Sequence, residues 1–153
     1  MLASSVVSRH SRRIGFGREN ERVNTTPHKN LFQGPGPDAR YADYLAKGEF
    51  RIQKCSACGH YMFFPRVMCT DCGAPEPDWV PASGRGTVYS RTTIADRPEA
   101  GGERNLSVIE LEEGPRLFSR VEGVAPEAVI IGMSVRVRIT QGDDGPFVVF
   151  DAE

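Results

Sequence analysis

The clearest alternation of apolar and polar positions lies near the C-terminus, where Val135, Val137 and Ile139 are interleaved with Arg136, Arg138 and Thr140. A period of two with one apolar face predicts a half-buried strand over 134–141. Segments 85–94, 105–112, 115–122 and 146–151 also read as strands between turn signals. Glu112-Glu113-Gly114-Pro115 and Asp143-Asp144-Gly145 are read as hairpin turns. Pro126-Glu127-Ala128 is read as a short helical turn between the third and fourth strands. Five short strands with one helical segment at that point predict a five-stranded OB-fold barrel over 83–153. Helical spacing occurs at Tyr41, Tyr44 and Leu45, with Asp38 as N-cap and Gly48 as stop, and predicts a short amphipathic helix over 39–47. Phe50–Gln53 then reads as a strand. Residues 1–37 carry no sustained period and end in Gly-Pro-Gly-Pro, so a disordered tail is expected there. The expected partition is 1–37 tail, 38–82 helix plus ribbon, and 83–153 barrel, a mainly β chain.

The four cysteines change this picture most. They form two Cys-x-x-Cys pairs, Cys55/Cys58 and Cys69/Cys72, followed by Gly59 and Gly73. Zn²⁺ takes a tetrahedral set of thiolates, and each Cys-x-x-Cys turn puts two sulfurs on one edge of that tetrahedron. Two disulfides would suit an exported chain, and a thioredoxin-like pair needs one Cys-x-x-Cys opening a helix. Paired, Gly-bounded turns favour a four-cysteine zinc ribbon. Four protein thiolates leave no open coordination position, so the expected zinc is structural.

Composition then excludes classes. Of 153 residues, 25% are charged and the formal net charge is −1. Residues 1–37 hold six Arg/Lys against two Glu, a balance of +4; residues 38–153 hold thirteen basic against eighteen acidic, a balance of −5. The mildly acidic folded part argues against a general nucleic-acid binder. No apolar run approaches the ~18 residues of a membrane span. Cysteines reserved for metal suit a reducing cytoplasm, the expected location.

Catalytic residues are not legible. Of the histidines, His10 and His28 lie in the tail and His60 borders a cysteine knuckle; no nucleophile–base pair or paired-carboxylate frame appears. The apolar run Tyr61–Phe64 before Pro65, Arg66 and Val67 needs cover, either from the barrel or from a ligand or partner. Tyr41 and Tyr44 either pack on the chain's own ribbon or barrel, or meet a partner subunit. Barrel arginines Arg85, Arg91, Arg116, Arg120, Arg136 and Arg138 are open to phosphates or to solvent. The long loop 95–104 reads as a mobile flap or as solvated slack.

In order, Lys47-Gly48-Glu49-Phe50, Gln53-Lys54-Cys55-Ser56-Ala57-Cys58-Gly59, Phe64-Pro65-Arg66, Cys69-Thr70-Asp71-Cys72-Gly73, Trp79-Val80, Ser83–Ser90 and Ile131-Gly132-Met133-Ser134-Val135 follow a specific spacing. Over residues 38–151 the chain resembles domain-of-unknown-function family thirty-five. The resemblance implies a helix and rubredoxin-like zinc ribbon joined to an OB-fold. It implies an accessory subunit that partners a thiolase, a thiolase-like aldolase or a hydratase, and that binds an acyl-CoA thioester in lipid metabolism without catalytic residues of its own. Expected sites are Cys55, Cys58, Cys69 and Cys72 for zinc. Phe63, Phe64, Arg66, Arg85 and Arg91 are expected at the ligand, and Tyr41, Tyr44 and Leu45 at the partner. Many relatives start the second barrel strand with a Pro-Tyr pair; here Arg104-Asn105-Leu106-Ser107 stands instead. The alternative is a single-stranded nucleic-acid-binding ribbon and OB-fold, which requires a basic face with exposed stacking aromatics.

Overall fold

The computed structural model describes residues 34–95, 97 and 102–153. Most of the expected tail, and residues 96 and 98–101 of the loop read as flap or slack, lie outside them. The first element among the described residues is a helix, α1 (Pro37–Ala46). It begins earlier than the N-cap reading of Asp38 placed it. Gly36 is the N-cap and makes no side-chain cap bond. Pro37 explains the shift, since its fixed φ and missing N–H suit the first helical position. Asp38 instead sits in the first turn, where its charge complements the helix dipole.

A small antiparallel sheet follows, with β1 (Arg51–Lys54) between β2 (Tyr61–Met62) and β3 (Asp78–Pro81). The Pro-rich stretch after the second knuckle reads from sequence as an extended crossover between modules. In the structure it supplies β3, paired from Arg51↔Pro81 to Lys54↔Asp78. Trp79 therefore stacks on the helix, with ring centroids 5.3 Å from Tyr44 and 6.4 Å from Tyr41.

The larger sheet contains β4 (Arg85–Ile94), β5 (Arg104–Leu111), β6 (Arg116–Ser119), β7 (Val121–Glu122), β8 (Ser134–Gly142) and β9 (Gly145–Ala152). A 3₁₀ turn, Pro126–Ala128, lies between β7 and β8 where the sequence predicts it. The strand order is β6-β5-β4-β8-β9-β7. The third expected strand is split: β6 pairs antiparallel with β5, and β7 pairs parallel with β9. The two ends of the sheet are thus consecutive pieces of chain joined at Arg120. No ladder closes the sheet directly; it wraps around through this break, the arrangement of an OB-fold.

One apolar core joins the helix, the ribbon and the barrel. Leu45 from α1, Phe50 and Ile52 from the ribbon, and Val88, Ile109 and Phe150 from the barrel belong to a single buried cluster. The knuckle end of the ribbon has its own small cluster, built on Cys55, Met62 and Cys69. Hydrophobic burial alone gives that end little support.

The break at Arg120 is held by a buried amide. Asn105, 5% exposed, donates from Nδ2 to the Val121 carbonyl at 2.6 Å, and its Oδ1 accepts the Val121 N–H at 2.8 Å. Ser107 Oγ adds a bond to the same Oδ1 at 3.1 Å. Asn105 thus does for Val121 what a neighbouring strand would do, because buried backbone groups must be paired. On the outer surface Arg138 crosses the same closure, donating to Asp151 of β9 at 2.7 Å and to Glu122 of β7 at 2.6 Å.

Asn105→Ala should cost about 2–4 kcal/mol, roughly 10 °C in Tm, because it orphans a buried donor and acceptor. Ser107→Ala should cost less than about 1 kcal/mol, since Oδ1 keeps the Val121 N–H. Thermal unfolding of both variants checks this; equal losses would contradict it. The Arg138 guanidinium holds the Asp151 carboxyl below its ordinary value. A depressed carboxyl stabilises the fold above the unfolded pKa of about 3.9 and loses that effect as pH falls through the folded pKa. Arg138→Met should therefore lower Tm at pH 7, with the difference from the parent chain shrinking as the pH is taken below about 4.

Candidate functional site: a four-sulfur cage beside an aromatic groove

The two knuckles bring all four cysteine sulfurs within 4.8 Å of one another. Cys55 Sγ lies 3.6 Å from Cys72 Sγ, and Cys58 Sγ lies 3.6 Å from Cys69 Sγ. A tetrahedron with metal–sulfur bonds of about 2.3 Å has edges of about 3.8 Å, whereas a disulfide needs about 2.05 Å. The cage fits a tetrahedral metal ion and not the two-disulfide reading. Each knuckle turns through a glycine of positive φ, Gly59 at 76° and Gly73 at 74°, whose N–H bonds back to Cys55 O and Cys69 O. An L side chain is strained in that conformation. The Cys55 thiol is lowered to about 7, chiefly by the Cys58 backbone N–H, against the opposing effect of burial. Cys69 is lowered chiefly by the Cys72 N–H. Backbone dipoles thus favour thiolates at the two buried positions. Cys55 and Cys69 are buried, Cys58 and Cys72 exposed. The backbone carbonyl of His60 accepts the Cys55 N–H at 2.8 Å, and His60 is not among the metal-binding group.

Between the knuckles, Gln53 repeats the device seen at Asn105. It is 3% exposed, donates from Nε2 to the Arg66 carbonyl at 2.9 Å, and accepts the Arg66 N–H on Oε1 at 2.6 Å. Ile52 and Gln53 are adjacent yet both buried, because one faces the common core and the other this loop. The loop holds Phe63 and Phe64 with ring centroids 4.8 Å apart, and Phe63 edge-on to Tyr41 at 5.4 Å.

These rings form one wall of a groove of about 460 Å³, within the size range of small-molecule sites. Tyr41 and Leu45 of α1 form another wall, and Leu106, Phe118 and Phe147 line the barrel side. The groove brings together Phe63, Phe64, Tyr41 and Leu45 from the expected sites. Arg66 does not line it; the residue is exposed, and its backbone is fixed by Gln53. Arg85 and Arg91 are exposed elsewhere on β4, Arg91 donating to Thr93 Oγ1 at 3.2 Å. Tyr44 packs on Trp79 under the Arg51 guanidinium, 5.0 Å from its ring centroid, and Leu45 is 4% exposed in the common core. Tyr41 Oη is buried with no hydrogen-bond partner among the described residues, a state that costs about 1–3 kcal/mol. Of the six barrel arginines singled out from the sequence, Arg116, Arg120, Arg136 and Arg138 are ion-paired to carboxylates.

Leu106, Phe118, Phe147 and Asn105 are the residues that the sequence pattern alone does not single out. The signal is an inverted alternation. At the start of β5 Asn105 and Ser107 take the inward positions that Ile109 and Leu111 continue, and in β6 Ser119 shares the inward face with Leu117; Leu106 and Phe118 point outward. Phe118 is 63% exposed.

Two family models match the chain: the rubredoxin-like zinc ribbon domain of ChsH2 over residues 42–78, and the C-terminal OB-fold domain of ChsH2 over residues 79–140. A probable enoyl-CoA hydratase alpha subunit of Thermomonospora curvata is 37% identical over 86 residues, covering 55% of this chain and 27% of that one. The chain therefore spans about a quarter of that relative's length. A DUF35 domain-containing scaffold protein of Methanocaldococcus jannaschii is 35% identical over 100 residues, covering 60% of this chain and 71% of the relative. Among solved structures, an Ltp2–ChsH2(DUF35) aldolase chain superposes with a TM-score of 0.69 at 28% identity, covering 78% of this chain and 97% of that one. With a ribbon model and an OB-fold model matched in succession and 71% of a DUF35 scaffold protein covered at 35% identity, the chain belongs to the DUF35 family.

Proposed function

We propose that this protein is a zinc-stabilised, non-catalytic accessory subunit. It partners a thiolase-superfamily enzyme or a hydratase and helps hold an acyl-CoA thioester for it. The observation that carries this reading is the chemistry of the groove lining. Its side chains are aromatic or aliphatic, apart from two arginines and a few polar groups. Among the latter, Asn105 is committed to Val121, and Ser119 Oγ donates to the Val148 carbonyl at 3.0 Å. Among the described residues, no histidine, cysteine or carboxylate stands in it to act as nucleophile, acid or base. Such a groove holds a ligand and leaves the reacting groups to another subunit. Relatives named as a hydratase alpha subunit and as a chain of an aldolase complex support that division of labour. The pairing of four barrel arginines with carboxylates removes much of the basic face that the nucleic-acid reading requires.

Zinc fits four thiolates at these spacings, the matched zinc ribbon model supports it over iron, and its role is to hold the ribbon. Protein purified without chelator should contain one zinc ion per chain by elemental analysis. Cys69→Ser should lose it and lower Tm by roughly 10 °C or more, since structural zinc contributes folding free energy directly. Metal-free protein with its thiols oxidised in pairs would contradict this.

Affinity purification of the full chain from its own cells should recover a thiolase-like, aldolase or hydratase subunit. The isolated chain should turn over neither an enoyl-CoA nor a 3-oxoacyl-CoA, while the recovered complex should act on one of them. Turnover by the chain alone, or a complex built on nucleic acid, would refute the reading.

A further inference from the structure

The barrel leaves half of one strand edge open. β4 runs from Arg85 to Ile94, but β8 pairs only with its first part, residues 85–87. Val88 then exchanges two bonds with the chain just before β8: its N–H donates to the Met133 carbonyl at 3.0 Å, and its carbonyl accepts the Gly132 N–H at 2.8 Å. Two features end the ladder there. A β-bulge at Tyr89 shifts the register against β5. On the other side residues 130–133 turn away from β4, with Gly132 at a φ of 90° and the Met133 N–H donating to the Ile130 carbonyl at 3.2 Å. Beyond this point residues 90–94 pair with β5 alone.

The ladder also fixes which backbone groups are left over. The Leu111 N–H goes to Pro115 on the β6 side, while the Glu112 N–H goes to Arg85 on the β4 side. Facing alternates along an antiparallel strand, so the even-numbered residues of β5 bond to β4. Their partners are Ser90, Thr92 and Ile94. Arg91 and Thr93 therefore turn their N–H and C=O groups to the open side, where no described residue meets them. Sheets commonly blunt such edges with proline or with very short strands. The ribbon does both, since β3 ends in Pro81 and β2 has two residues. Ser90-Arg91-Thr92-Thr93-Ile94 contains no proline, and its threonines and isoleucine favour a strand.

The surroundings of the edge describe its occupant. Unmet N–H and C=O groups at alternate residues take an extended strand. Ile130 and Ile131, 60% and 66% exposed, stand at the tip of the turn that abuts the edge and call for an apolar side chain. Arg91 is exposed, its guanidinium donates to Thr93 Oγ1, and it has no carboxylate partner among the described residues, so an acidic side chain matches it. A second copy of this chain fits badly. Antiparallel self-pairing centred on Thr92 sets the two Arg91 side chains diagonally on one face, and pairing centred on Arg91 sets them directly opposite. The edge also reaches the groove, which Ile94 lines. We propose that β4 accepts a strand of the partner enzyme along residues 90–94, with a carboxylate at Arg91 and an apolar side chain on Ile131. The added strand carries the partner's side chains to the rim of a groove whose described lining has no histidine, cysteine or carboxylate. This assignment rests on reading the chain as an accessory subunit, which by itself names no surface.

The test uses the tagged full chain recovered from its own cells, with the enzyme subunit that accompanies it quantified by mass spectrometry. Thr93→Pro removes an outward N–H and leaves the bonds to β5 in place, a position where strands accept proline. Thr93→Val alters the side chain and keeps the N–H. Ile131→Asp changes an exposed side chain outside every strand. Thr93→Val should recover the enzyme subunit as the parent chain does. Thr93→Pro and Ile131→Asp should each recover at least about tenfold less, at little change in Tm. Hydrogen exchange over residues 89–95 should be slower in the parent complex than in the free chain. If both Thr93→Pro and Ile131→Asp recover as much subunit as the parent, or exchange over 89–95 is the same in complex and free chain, the interface lies elsewhere; the proposal then falls while the accessory reading stands. If the free chain sediments as a dimer with 89–95 already protected, a second copy holds the edge and the proposal falls. If the parent chain recovers no enzyme subunit, the proposal and the accessory reading both fall.

Discussion

Four sulfurs within 4.8 Å of one another hold the knuckle end of the ribbon, because almost nothing else there is buried. At that end Met62 is buried with only Cys55 and Cys69 beside it, too little to make a core. A tetrahedral ion held by those four sulfurs would supply the constraint that apolar burial does not. The consequence reaches beyond the knuckles. β1 leaves the cage at Cys55, and its Ile52 and Gln53 face opposite ways, one into the common core and one onto the Phe63–Arg66 loop. The metal end of the ribbon and the wall of the groove are therefore one mechanical unit.

The groove depends on a second constraint used twice. Gln53 and Asn105 are buried side-chain amides, each pairing with both the N–H and the C=O of a single residue in an irregular stretch. Irregular backbone is costly to bury unless its polar groups are met. The amides meet them and fix two short segments against each other. One segment carries Phe63 and Phe64, the other is the break between β6 and β7. Aromatic rings can then stay exposed at fixed positions, which a mobile loop could not ensure.

Much of this architecture is legible in the residues. The Cys-x-x-Cys spacing reports the cage because two turns of that length can satisfy a tetrahedron. Val135–Ile139 reports its strand because one face is buried and the other carries arginines. What escapes the pattern does so for physical reasons. Asn105 and Ser119 are polar yet inward, satisfied by backbone partners that lie sixteen and twenty-nine residues away. Leu106 and Phe118 are apolar yet outward, facing a groove that exists only once the helix and the ribbon loop are in place. A rule that sends apolar residues inward reads both strands in the wrong sense at this end. The inversion, set beside the departure at Arg104-Asn105, is the trace that the groove leaves in the sequence.

A four-cysteine ribbon, a wrapped sheet and a helix thus meet around an aromatic space in which no described residue is a histidine, cysteine or carboxylate. The most direct test of this account is amide chemical-shift mapping of the zinc-loaded full chain as a medium-chain acyl-CoA is added. Shifts concentrated at Phe63–Phe64, Leu106, Phe118–Arg120 and Phe147 are the result it predicts. Shifts centred on Arg85–Arg91, or no shifts at all, would contradict it.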